Sequence, residues 1–479
     1  MLLHSTHFFI FLLVVFLVHW AIPGRWQTGW LVFASLVFIW MIRPGLVFFT
    51  LGIALINWLL GMLLERSKGK PHRKLLFWSS IYLNIGLLAF YKYIIFILEN
   101  LNRLFDLTGV QFNLPYPEIL IPVGISYYTF QVLGYLIRIN RGSEQAEKNL
   151  FRFLLYILFF PKFLSGPVER SNRFFPQLSK ARRFDYTLVS AGARLFLVGL
   201  FKKVVIGDNL AAPVLAAYGD IHHYSGIALM LVFVVQTLHL YADFSGYTDM
   251  ALGAGKMVGL NLTGNFNRPF FAQNVGEFWR RWHMSLSSWC NDFIFTPFIV
   301  KYRKLGQKAA IIGIFLTFFV IGIWHGAAWT FVVLGLLQGI AISYEFYTKR
   351  TRITYARKFN QRAVTFFSRL ITFLFFCLTL IFFNAHSLSD AFYFITHLFS
   401  GIDLKLTGHD LIFDKKGFLI AMAAFMILFV WEYLEESGRS PAKWFFGLPK
   451  PVRWLGYYSL ILAIYIFGGQ QDTFIYLQF

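Results

Sequence analysis

Apolar stretches recur along the whole chain, at about residues 7–23, 29–42, 45–64, 75–98, 119–137, 187–206, 224–242, 309–324, 326–347, 364–384, 417–434 and 454–470. A hydrocarbon core about 30 Å thick takes about 20 apolar residues per helix. The pattern therefore predicts an all-α, polytopic membrane protein with about 11–12 transmembrane helices in a single membrane domain over residues 1–479. The first run has no cationic segment before it and no small-residue cleavage pattern, and a second run follows at once, so it reads as a retained span.

Three segments depart from this pattern. Residues 150–168 are apolar but flanked by basic residues on both sides, Arg138, Arg141 and Lys148 before and Arg170, Arg173 and Lys180 after. Pro161, Gly166 and Pro167 also interrupt the segment, and broken backbone at membrane depth survives only where protein or a water-filled cavity satisfies it. This predicts a re-entrant element. Residues 242–304 mix Asp243, Asp249, Glu277, Arg280, Arg281, His283 and Asp292 with aromatics and glycines, so they line a cavity or lie at the interface. Residues 387–400 predict an in-plane amphipathic helix, with Phe392, Phe394, Ile395 and Leu398 on or near one face.

Composition agrees: 57% of residues are hydrophobic and 14% charged, where a soluble domain has about 25% charged. The formal charge of +21 sits in short loops such as 65–74 and 349–362, not on an aromatic-studded basic face. It therefore predicts cytoplasmic loops against membrane lipids and no nucleic acid. Cys290 and Cys377 form no disulfide framework and have no metal-ligand spacing, so no metal is expected. No phosphate-binding loop, dinucleotide fingerprint or internal repeat is present, and many transporters are built from repeats.

Chemistry concentrates in a few places. His325 stands in Gly322-Ile-Trp-His-Gly-Ala-Ala-Trp-Thr330 between two apolar runs, so either a hairpin turns there or the histidine lies within the bilayer. A dry setting favours the neutral imidazole that a general base requires; a helix-packing hydrogen bond is the plainer alternative. Gly322 and Gly326 remove bulk so that a substrate or another helix can approach. His283 lies in Glu277-Phe-Trp-Arg-Arg-Trp-His-Met-Ser-Leu-Ser287. There Trp279, Trp282 and Trp289 suit an interfacial belt, and Arg280 and Arg281 suit anionic headgroups. In Asp243-Phe-Ser-Gly-Tyr-Thr-Asp249, Gly246 marks a bend, and a locally satisfied turn after the span is expected.

Residues 241–249, 277–287 and 322–330 together resemble the membrane-bound O-acyltransferase family, in the bacterial branch that O-acetylates alginate and peptidoglycan. Leu120-Ile-Pro-Val-Gly-Ile-Ser-Tyr-Tyr-Thr-Phe130, Phe160-Pro-Lys-Phe-Leu-Ser-Gly-Pro-Val-Glu-Arg170, Phe201-Lys-Lys-Val-Val-Ile-Gly-Asp-Asn-Leu210 and Asn265-Phe-Asn-Arg-Pro-Phe270 match family segments in order. The likeness is densest over residues 120–400 and returns at 474–479.

The resemblance implies a funnel-like helical core, with His325 as the base and His283 as an orienting or oxyanion-stabilising group. It also implies a substrate pocket including Trp282, Trp324, Asn267 and Asp292. Phe474-Ile-Tyr-Leu-Gln-Phe479 resembles an aromatic motif whose tyrosine accepts the acyl group, making Tyr476 a possible relay; an interfacial anchor is the alternative. The donor implied is acetyl-CoA and the place a bacterial inner membrane, with a periplasmic acetyltransferase partner completing transfer to an exported or cell-wall polysaccharide. A lipid or protein O-acyltransferase and an ion-coupled transporter stand as alternatives. Cys290-Asn-Asp292 replaces the usual Leu-Arg-Asp, Arg138 stands where an acidic residue is common, and Gln338 where histidine is frequent, which weakens any inference about the acceptor.

Overall fold

The computed structural model describes residues 2–110, 112–400 and 415–468. Among them the chain is helical and contains no strand. Among the described residues eight helices are long and apolar enough to cross a bilayer: Gly24–Ile42, Pro44–Arg66, Arg73–Thr108, Ile227–Met257, Gln307–His325, Trp329–Ala356, Gln361–Asn384 and Lys415–Glu436. The protein is thus a polytopic membrane protein. The other four apolar segments are also helical, as Thr6–Ala21, Ile125–Arg141, Tyr186–Phe201 and Lys450–Phe467, of 16 to 18 residues each. At 1.5 Å per residue they reach about 24–27 Å, a little short of the hydrocarbon core. Helix ends carry their usual signals: Ser5 and Asn149 accept hydrogen bonds from the first turns of their helices, and Gly109 closes Arg73–Thr108 in a left-handed cap.

The chain forms two compact units, Met1–Ala193 with Ala251–Thr263, and Arg194–Met250 with Gly264–Phe479. In the first, the segment with basic flanks breaks into Leu150–Leu158 and Phe160–Phe163. The longer piece rises about 14 Å, less than half a crossing. Its interruption is enclosed by protein: Phe160 N–H donates to the Ser35 hydroxyl at 3.1 Å. The wholly buried Lys162 ammonium donates to Gln131 Oε1 and, at 2.5 Å, to the Tyr156 carbonyl. Protein groups thus satisfy the polar atoms at the break.

The second unit departs from the sequence reading at Asp243–Asp249. No turn follows the span, because Ile227–Met257 runs unbroken for 31 residues. The carboxylates are satisfied by lysines of the wide π-helical turn Lys202–Gly207. Lys203 Nζ lies 2.6 Å from Asp208 and 2.7 Å from Asp243, and Lys202 Nζ lies 2.8 Å from Asp249. Gly246 marks a close crossing and not a bend, since a Cβ there would meet Gly199 O at 2.7 Å and Lys203 N at 2.8 Å. The expected in-plane segment is the helix Leu388–His397. Ala391, Phe394 and Leu398 are buried, while Phe392 is 56% exposed. At 100° per residue, positions 392 and 394 fall on opposite faces.

Candidate active site

Both sequence-predicted histidines lie in the second unit. Gln307–His325 ends at His325 and Trp329–Ala356 begins after Gly326, Ala327 and Ala328, so the hairpin turns at the histidine. Glycines bring the two helices together. A Cβ on Gly322 would sit 2.4 Å from Phe331 O, one on Gly335 2.4 Å from Phe318 O, and one on Gly326 1.9 Å from the Phe331 ring. Gly322 serves the helix approach and also lines the cavity at His325.

His283 sits between the short helices Val275–Arg281 and Met284–Cys290, with φ 43° and ψ 49°. A non-glycine residue in the left-handed region costs about 1–3 kcal/mol and persists only where its surroundings hold it. They do so from both sides. Asn267 N–H donates to Arg281 O at 2.9 Å and Met284 N–H to Asn265 O at 2.9 Å, while the Asn265 side chain accepts from Ser285 N–H at 3.2 Å. The segment containing Asn265 and Asn267 thus clamps the backbone on both sides of His283.

The two imidazoles share one neighbour. The Trp324 ring lies 5.7 Å from His283 and 5.1 Å from His325, centroid to centroid. Phe244 meets His283 edge-on at 4.8 Å, and Phe383 lies 5.4 Å from His325. His283 is fully buried and His325 nearly so. Burial, followed by the nearby His325, holds the His283 imidazole well below its ordinary range, so it is neutral near pH 7. His325 lines a cavity of about 20 Å³ with Trp279, Trp282, Gln338, Phe376 and Phe383 among its neighbours. A cavity of that size holds about one water molecule.

Of the other expected pocket residues, Trp282 lines this cavity and Trp324 backs it through its contacts with both histidines. Asn267 and Asp292 are not among its lining residues. Asn267 acts on the backbone beside His283, and Asp292 is exposed on the π-helical turn Asn291–Phe295. Tyr476 lies outside the described residues. Among the described residues no three His, Cys, Asp or Glu side chains cluster as metal ligands.

The expected interfacial belt is replaced by packing. Trp279, Trp282 and Trp289 are all buried, and Trp282 stacks on Phe278 at 5.4 Å. Arg281, half-buried, is paired with Glu277 at 2.7 Å and with both Glu436 carboxylate oxygens at 2.9 and 3.0 Å. Hydropathy alone does not distinguish an aromatic at an interface from one in a core, because both environments take the same residue types. The sequence reading quoted Asn265, Phe244 and Tyr241 within family-like segments but gave them no individual role; the Tyr241 hydroxyl donates to the buried Glu432 at 2.5 Å. The available signal for Asn265 was its place two residues before Asn267 in a polar, proline-containing loop.

Comparison with known proteins finds relatives of this chain. Residues 146–385 match the sequence profile of the membrane-bound O-acyltransferase family. The chain is 33% identical over 347 residues to a probable alginate O-acetylase of Pseudomonas aeruginosa, a match covering 71% of this chain and 65% of that protein. It is 32% identical to a protein of the same description from Pseudomonas putida, over 71% of this chain and 70% of the relative. It is 30% identical to a peptidoglycan O-acetyltransferase of Helicobacter pylori, over 67% and 65% respectively. The aligned region thus spans about two thirds of the length of these relatives.

Proposed function

Because the chain belongs to the membrane-bound O-acyltransferase family, we propose that it is an O-acetyltransferase of the cell envelope. It takes an acetyl group from acetyl-CoA at the cytoplasmic face of a bacterial inner membrane and delivers it outward. Final O-acetylation of an exported or cell-wall polysaccharide falls to a periplasmic partner. The observation that carries the reading is a pair of buried histidines that meet one indole, with His325 at the turn of a hairpin and on a small cavity. Support for the acceptor class comes from the relatives, which are named for alginate and peptidoglycan. The exposed basic loop at Lys68 and Lys70 suits a cytoplasmic face.

In this mechanism His325 accepts the proton of the attacking hydroxyl as its oxygen bonds to the thioester carbonyl carbon. His283 orients the reacting group or stabilises the developing oxyanion. The C–S bond then breaks, and the proton held on His325 passes to the departing coenzyme A thiolate. Tyr476 is the proposed relay hydroxyl, on the strength of the resemblance at the C-terminus.

Purified protein incubated with radiolabelled acetyl-CoA tests the reading. His325→Ala is expected to abolish turnover, and turnover unaffected by that change refutes the mechanism. Label retained on Tyr476→Phe removes only the relay. Acylation of a lipid or protein without any periplasmic partner, or substrate flux in proteoliposomes without thioester hydrolysis, replaces this reading with the corresponding alternative.

A further inference from the structure

A second and much larger cavity, of about 540 Å³, adjoins the histidine site. One part of its lining consists of polar residues, exposed Arg280 with Ser287, Ser288 and Asn291; another part is apolar, with Phe295 and Ile314. Trp279, Phe318 and Ile321 line both this cavity and the small one at His325. These three side chains therefore form the partition between a chamber large enough for a ligand and a chamber that holds about one water molecule.

The Trp279 indole is fixed in place. Its Nε1–H donates to Gln338 Oε1 at 3.0 Å, Gln338 Nε2–H donates to Thr379 Oγ1 at 3.0 Å, and the Thr379 hydroxyl donates to Phe376 O at 3.0 Å. Phe318 closes on the ring at 5.2 Å. Gln338 and Thr379 are buried, so each bond would leave an unsatisfied polar group if broken, at about 1–3 kcal/mol. A relay that runs from Trp279 on one helix through Gln338 to Thr379 on another serves to hold one large ring at one place.

We propose that the larger cavity receives the thioester end of the acyl donor and that Trp279, pinned by Gln338 and Thr379, determines which acyl chains reach His325. The inference rests on the acyltransferase reading above and adds to it a residue that sets chain length. The mixed lining suits a donor arm that carries amides and ends in anionic phosphate, with Arg280 as the cation for the latter. With Trp279 in place, a two-carbon acyl group passes the partition with a small displacement of the ring. Each further methylene has to be accommodated by moving an indole that is anchored on both its polar and its apolar edges. A closed apolar pocket discriminates by about 10–200-fold per methylene.

Turnover of acetyl-CoA and butyryl-CoA by the purified full chain tests this. The wild type is expected to favour acetyl-CoA, and Trp279→Leu, which joins the two cavities, to raise the butyryl-to-acetyl ratio of kcat/KM at least tenfold. Gln338→Leu keeps the indole but releases it, and is expected to raise the same ratio by a smaller factor. General loss of structure lowers both rates together and leaves the ratio unmoved, so the ratio separates a selectivity role from a packing role. If Trp279→Leu does not fold, Trp279→Phe and Gln338→Leu carry the test. A ratio within twofold of wild type in every variant that still turns over acetyl-CoA overturns the inference and leaves the acyltransferase reading standing. A wild type that turns over neither thioester overturns that reading and this one with it.

Discussion

The His283 imidazole and the Trp324 indole lie 5.7 Å apart with their planes inclined by 60°, and the same indole abuts His325. Two titratable rings 42 positions apart in sequence thus meet the same rigid apolar side chain, itself nearly fully buried. Trp324→Ala is expected to destabilise the protein by about 3–5 kcal/mol, the usual cost of deleting a large buried aromatic. It is also expected to depress thioester turnover, whereas Trp324→Phe keeps a ring against both histidines and retains most of both. Thermal unfolding in detergent and acetyl-CoA turnover of the two variants check this, and equal losses for both count against a role for the ring.

Lys203 bridges two carboxylates from opposite sides of a helix crossing, with all three side chains almost inaccessible. Removing one partner of a buried ion pair strands the remaining charge and costs about 3–5 kcal/mol. Lys203→Met should therefore unfold at markedly lower temperature. The triple change Lys203→Met, Asp208→Asn, Asp243→Asn should recover part of the loss. Lys202, whose partner Asp249 is 21% exposed, should tolerate methionine better.

Glycines in the hairpin differ in what they exclude. Gly322→Ala brings a Cβ to 2.4 Å from the Phe331 carbonyl oxygen, which belongs to the backbone and yields only if the helices separate. An overpacking cost of about 1–3 kcal/mol follows, with a fall in activity as the His325 end of the hairpin shifts. Gly52 has open space around it, so Gly52→Ala, on the helix Pro44–Arg66, should be neutral or slightly stabilising. Melting temperatures of the two variants decide the comparison.

Burial keeps His283 neutral in the folded protein, whereas in the unfolded chain it titrates near its ordinary value of about 6.5. Below that pH the unfolded state binds a proton that the folded state does not. Stability then falls as pH falls, and this contribution is absent above about pH 7. His283→Gln should flatten the acid side of the stability curve relative to wild type. A pair of parallel curves between pH 7 and pH 5 contradicts it.

The comparison of Trp279 with Asp243 shows where sequence reasoning stops. Both lie in the segment that the pattern marks as unlike lipid-facing helix, and both stand beside residues of the expected site. The tryptophan suits an interfacial belt as well as a core, and it is Gln338, 59 positions later, that draws its indole inward. The carboxylate suits a polar turn, and it is Lys203, 40 positions earlier, that allows the helix to continue through it. Neither partner is within reach of a local pattern.

The sequence by itself determined that the chain is helical and lives in a membrane, because hydrocarbon leaves a backbone few ways to satisfy its hydrogen bonds and about 20 apolar residues announce one of them. It also drew attention to His325, a titratable group between two apolar runs, and to His283 through the family resemblance of its segment. Tertiary structure alone decided that both rings meet Trp324, that the Asn265–Asn267 segment holds His283 in a left-handed conformation, and that Trp279 stands between two cavities. These relationships join residues far apart in the chain through packing and single hydrogen bonds, which have no period and leave no local signature.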